Sequence, residues 1–126
     1  MKVLVVDDSA FIRKMMRKSI EACGCQVIEA DCGQAALDLY PVENPDFVTL
    51  DMLMPVMEGP EVLDRLLLID PNARVVVCTS NVQASAQEEM LAKGAVGFLN
   101  KPVKTDVLQR TINQIQEGIA HVTGSE

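Results

Sequence analysis

Five short apolar runs constrain what this chain can become. Lys2–Val6 (KVLVV), Cys25–Ala30 (CQVIEA), Phe47–Leu50 (FVTL), Arg74–Cys78 (RVVVC) and Val96–Leu99 recur along it, each followed by a segment of helical spacing. Continuous β-branched runs of this length mark strands covered on both faces. Ser9 stands where a helix N-cap belongs, and Ile12, Met15, Met16, Ser19, Ile20 and Cys23 follow at helical spacing until Gly24. Gln34 to Tyr40 reads as a second, short helix stopped by Pro41. Pro60 opens a third, striped by Val62, Leu63, Leu66, Leu67 and Ile69. Val82–Lys93 is the least periodic helix, with Val82, Ala86 and Met90 on one face, and Lys104–Ile119 buries Leu108, Ile112, Ile115 and Ile119. One domain is expected over residues 1–120, with a frayed polar tail from His121 to Glu126.

Strand then helix, five times and with short connections, builds a parallel sheet with helices on both faces. A closed barrel needs eight such units, so five make an open, doubly wound α/β sheet. Ligands of such sheets sit beyond the carboxyl ends of the strands. The polar, chemically capable residues should therefore follow the strands, and they do. Strand one ends at Asp7-Asp8, strand three at Asp51, strand four at Thr79-Ser80 and strand five at Asn100-Lys101-Pro102.

Composition narrows the chemistry. Eighteen acids against eleven bases give a formal charge of −7, which disfavours a nucleic-acid partner. No apolar run approaches a membrane span of about 18 residues, and the run after Met1-Lys2 is too short for a signal peptide. Cys23, Cys25, Cys32 and Cys78 lack zinc-ribbon spacing and read as small buried hydrophobes, with reduced thiols in a cytoplasmic protein. The single histidine, His121, falls in the tail and reads as solvated.

In a 2-1-3-4-5 strand order, strands one and three are neighbours about 4.8 Å apart, so Asp7, Asp8 and Asp51 converge. Three carboxylates that close repel one another unless a cation intervenes, and carboxylates, a carbonyl and waters suit Mg²⁺. Lys101 adds a mobile point charge and Thr79 a hydroxyl. Each residue alone is an ordinary cap or turn residue. Together, on one sheet edge, they describe phosphoryl transfer in which a carboxylate attacks in line to form an acyl phosphate. Asp51 stands alone at the sheet centre and is the expected nucleophile; the Asp7-Asp8 pair is better placed to hold the metal.

These residues carry a resemblance over essentially the whole chain. VLVVDDS at Val3–Ser9, DFVTLDMLMPVMEG at Asp46–Gly59, VVVCTS at Val75–Ser80 and KGAVGFLNKPV at Lys93–Val103 resemble the response-regulator receiver domains of two-component signalling. The chain is most similar to single-domain, CheY-like members, and DDSAFIRKM resembles their chemotaxis branch. The resemblance implies a flavodoxin-like (βα)5 sheet of order 2-1-3-4-5. It implies that Asp51 accepts a phosphoryl group from a histidine kinase. Asp8, Asp51 and the Leu53 carbonyl would bind Mg²⁺ directly, with Asp7 acting through water. Thr79 would hydrogen-bond the phosphoryl group, Lys101 would pair with it, and the Lys101–Pro102 bond would be cis. Phe98 falls at the switch-aromatic position, coupling Thr79 to the face of helix four, strand five and helix five. Met52, Met54 and Met57 read as loop packing.

Some positions depart from commoner family choices. Leu53 is apolar two residues after Asp51, and Asn81 is neutral two after Thr79. An apolar Leu53 cannot orient water, which favours slow loss of the phosphate. Phe98 lacks a tyrosine hydroxyl. The expectation is a signalling switch, a monomer or weak dimer, rather than a metabolic enzyme. Its phosphodonor would be a kinase, and its output a protein partner: a motor, a phosphotransfer protein or a phosphatase. Three rivals are weaker. A Mg²⁺-dependent phosphatase needs a cap or long insertions, and an FMN module needs Ser, Thr and Gly where Asp7 and Asp8 stand. A degenerate receiver that only docks is disfavoured by the complete residue set.

Overall fold

The structure is a computed structural model and describes residues 1–80, 84–118 and 122–124. Elements alternate as read from the sequence: β1 Lys2–Val6, α1 Ala10–Ala22, β2 Gln26–Ala30, α2 Gly33–Glu43, β3 Phe47–Asp51 and α3 Gly59–Ile69. Then follow β4 Val75–Thr79, α4 Ala84–Lys93, β5 Gly97–Asn100 and α5 Thr105–Gln116. The five strands lie parallel in the order β2-β1-β3-β4-β5.

Because successive strand residues face opposite sides, each run feeds two cores. Leu4 and Val6 join Leu50, Val77, Leu63 and Leu66 under the α2–α4 side. Val3 and Val5 join Ile20, Phe47, Leu108 and Ile112 under α1 and α5. The central strands β3 and β4 are buried throughout, which is why they read as continuous apolar runs. Met54 is buried, and Met52 and Met57 pack against the same core.

Several details differ from the sequence expectation. α2 does not stop at Pro41 but runs to Glu43. Proline has no N–H for the Leu37 carbonyl, yet its φ suits a helix. The turn closes instead at Asn44, in left-handed geometry at φ 50°, whose N–H reaches Tyr40. The Tyr40 hydroxyl donates to Asp70 at 2.8 Å, tying the end of α2 to the end of α3. Arg74 is not in β4; its guanidinium donates 2.7 Å to the Ile115 carbonyl and caps the last turn of α5. The expected frayed tail also needs correction, since Val122–Gly124 form a short strand β6 parallel to β5 at the sheet edge. Cys25 and Cys78 are buried, but Cys32 is exposed and acts as the α2 N-cap, its Sγ accepting from Ala35 N at 3.5 Å. The expectations for Asn81, Val82, Ile119 and His121 lie outside the described residues.

Candidate functional site

Parallel register brings the strand ends level. Val6 pairs with Leu50, Asp51 with Cys78 and Thr79 with Asn100, so the residues that follow converge on one edge. Asp51 itself completes β3 rather than opening the loop. Each acid can offer an oxygen such that the three lie within 4.8 Å of one another, the one such cluster among the described residues. Asp7 and Asp51 are buried, whereas Asp8 is exposed at the mouth.

Local chemistry holds these side chains. Asp7 accepts the Ser9 N–H on Oδ1 at 2.9 Å, and Ser9 Oγ accepts the Ile12 N–H at 3.2 Å, starting α1 directly behind the acids. Lys101 donates from Nζ to Asp7 Oδ2 at 2.8 Å and to Asp51 Oδ1 at 3.0 Å. Its own N–H bonds the Thr79 carbonyl at 2.9 Å, and the bond into Pro102 is cis. Thr79 is buried at the end of β4, and Phe98 is buried among Val77 and Met90 on the α2–α4 side. The Leu53 backbone favours the ionised form of the Asp51 carboxyl, while the Leu53 side chain is 66% exposed. A cleft of about 300 Å³ lined by Asp8, Cys32, Gly33, Pro55, Val56 and Met57 opens beside the acids.

One ammonium is shared by two buried carboxylates, and the electrostatics follow. Burial pushes the Asp51 carboxyl above the ordinary carboxylate range, and its bond to Lys101 only partly reverses this. Burial pushes Lys101 down, but the bonds to Asp7 and Asp51 together outweigh it, so its pKa is raised. Both shifts are upward: burial outweighs the Lys101 bond at Asp51, and two carboxylate partners outweigh burial at Lys101. With one lysine against three carboxylates, two negative charges stay uncompensated, the charge of one divalent ion. Oxygen ligands about 2.1 Å from Mg²⁺ stand roughly 3–4 Å apart, so a spread of 4.8 Å needs little closure. The donor set is all hard oxygen and fits such an ion.

A family model described as the response regulator receiver domain matches residues 3–113. The chain belongs to the receiver family. It therefore takes part in two-component phosphorelay signalling. This receiver is 35% identical to the chemotaxis protein CheY of Thermotoga maritima over 92% of its own length and 98% of that protein. It is 34% identical to sporulation initiation phosphotransferase F of Bacillus subtilis, over 90% of this chain and 91% of the other. Among solved structures it is similar to the CheX-CheY-BeF3-Mg+2 complex from Borrelia burgdorferi, at a TM-score of 0.83 and 35% identity. That match covers 90% of this chain and 87% of the other.

Two contacts of the receiver site escaped the sequence reading. Gly59 lies so close beneath the site that a Cβ there would stand 2.5 Å from the Asp51 carbonyl oxygen and 2.7 Å from Met52 Cα. Its N–H bonds the Met52 carbonyl at 2.9 Å, closing the β3–α3 loop. Arg13, one helical turn past the Ser9 cap, donates to the Asp7 carbonyl. Its spacing from Ser9 is the only sequence signal for that contact. Among the described residues, no helix is long and apolar enough to cross a membrane.

Proposed function

We propose that this receiver is a CheY-like response regulator, with residues 1–120 as the receiver unit, that takes a phosphoryl group from a histidine kinase onto Asp51. The observation that carries the reading is Asp51 buried at the end of the central strand, 3.0 Å from Lys101 and within reach of Asp7 and Asp8. Near-complete coverage of the Thermotoga CheY supports the CheY-like reading.

In this reading an Asp51 oxygen attacks the phosphorus of a phosphohistidine. The new O–P bond forms as the P–N bond breaks, and the imidazole nitrogen keeps the electron pair and takes up a proton. Asp8, Asp51 and the Leu53 carbonyl would hold Mg²⁺, with Asp7 acting through water, and the ion would supply charge to neutralise phosphoryl oxygens. Lys101 leaves its ion pair with Asp51 to pair with the phosphoryl group, and Thr79 donates its hydroxyl to another oxygen. Movement of Thr79 repacks Phe98 and reshapes the face of α4, β5 and α5, where a protein target docks. The acyl phosphate then hydrolyses slowly, and the exposed, apolar Leu53 offers water no hydrogen bond. We place the protein in the cytoplasm, as a monomer or weak dimer, on a chemotaxis-type pathway.

The test incubates the chain with Mg²⁺ and acetyl phosphate or beryllofluoride and compares it with Asp51→Asn by intact mass and amide NMR shifts. One phosphoryl group and site-centred shifts, both lost in Asp51→Asn, are expected. Modification that persists in Asp51→Asn, or none in the wild type, overturns the reading.

A further inference from the structure

The acid pair is held from behind by a charged row that no part of the phosphotransfer reading uses. The carbonyl of Asp7, half of the peptide that joins Asp7 to Asp8, accepts 2.7 Å from Arg13 Nη1. On its other side the Asp7 N–H bonds the Ala30 carbonyl at 3.1 Å. Both peptides flanking Asp7 are therefore fixed. Asp8 is exposed, so its placement at the cluster depends on the backbone that carries its Cβ.

The Arg13 guanidinium is itself locked. Its Nε donates to Glu29 Oε1 at 3.1 Å, Glu29 Oε2 accepts from Arg17 Nε at 2.6 Å, and Arg17 Nη1 reaches Glu21 at 3.1 Å. Charges thus alternate from Glu21 and Arg17 on α1 through Glu29 on β2 back to Arg13, and the row ends on the Asp7 backbone. The Arg13 end is the drier one, with its side chain 16% exposed against 37% for Arg17. A lone cation behind the acids would repel a divalent ion. Glu29 cancels that charge and leaves the geometry of the fork.

We infer that Arg13 is a positioning residue for a divalent cation at the acid cluster: by holding the Asp7–Asp8 peptide it aims both carboxylates toward Asp51. The inference rests on the metal reading proposed above, and outer contacts that orient ligands are worth about 10-fold or more in metal affinity.

The test is a MgCl2 titration of the full chain by calorimetry or NMR, beside its urea unfolding. Arg13→Ala is expected to bind Mg²⁺ about 10-fold more weakly. Arg17→Ala cuts the same row without touching Asp7, so it loses stability but binds within about twofold of the wild type. Arg13→Lys keeps the charge but not the fork, is expected to bind weakly as well, and serves if Arg13→Ala does not fold. Unchanged or tighter binding in the Arg13 variants overturns the inference, as does an equal loss in Arg17→Ala. A wild type that binds no Mg²⁺ fails earlier, at the metal reading itself.

Discussion

Lys101 Nζ stands 3.0 Å from Asp51 Oδ1 across fifty residues of sequence, and it spends its charge on Asp7 at the same time. Asp51 is thus a buried anion with partial compensation, held above the ordinary carboxylate range by burial. A folded-state pKa raised above the unfolded value means that the folded chain holds its proton longer. The stability this group allows is fully present below the unfolded pKa and is lost as pH rises through the folded one. Asp51→Asn should therefore be more stable than the wild type at pH 7, by about 1 kcal/mol. The gap should close in acid, below the carboxylate range. Urea unfolding at several pH values checks this, and a variant less stable at neutral pH would contradict it.

Gly59→Ala should cost about 1–3 kcal/mol, the range for forcing atoms into a packed region. The obstructing atoms are backbone, the Asp51 carbonyl and Met52 Cα, and cannot swing aside like a side chain. Amide shifts should move at Asp51 and Met52 as well as in α3, and chemical denaturation gives the stability loss.

Val56 carries φ of 69° with its side chain fully exposed. A β-branched residue in the left-handed region is strained, and no packing offsets it there. Val56→Gly should raise stability by about 1 kcal/mol, net of the freedom glycine regains when unfolded. A thermal melt that shows no gain would count against the strain.

The thiols should separate by environment. Cys32 is exposed and should be alkylated first in the native chain. Cys78 is fully buried opposite Asp51, and burial pushes its thiol up to about 12. It should react only on unfolding. Mass spectrometry after iodoacetamide labelling, with and without urea, reads the order directly.

The site was legible because its residues follow apolar runs, and a parallel sheet lines all such ends on one edge. Asp7, Asp8, Asp51, Thr79 and Lys101 needed only strand order to be brought together. What stayed hidden depends on contacts that leave no local pattern. The backbone pairing of Val122–Gly124 with β5 has no apolar signature, and the strained φ of Val56 contradicts its propensity. Pro41 stops most helices, but here the stop is set by Asn44. Cys32 looked like its buried counterparts because nothing in the residue type separates a cap from a core thiol.

Tyr40 is the only tyrosine, and the chain has no tryptophan. It sits where α2 ends, at the sheet edge away from the acids, buried and hydrogen-bonded to Asp70. Burial first, and then the Asp70 carboxylate, pushes its phenol well up from the ordinary value. Ultraviolet absorbance and intrinsic fluorescence therefore watch one end of the molecule while phosphoryl chemistry occupies the other. In alkali the chromophore is an optical monitor of unfolding, since tyrosinate absorbance should rise as α2 and α3 part and the phenol returns toward its ordinary value. Turnover at Asp51 needs its own probe, placed at the opposite edge.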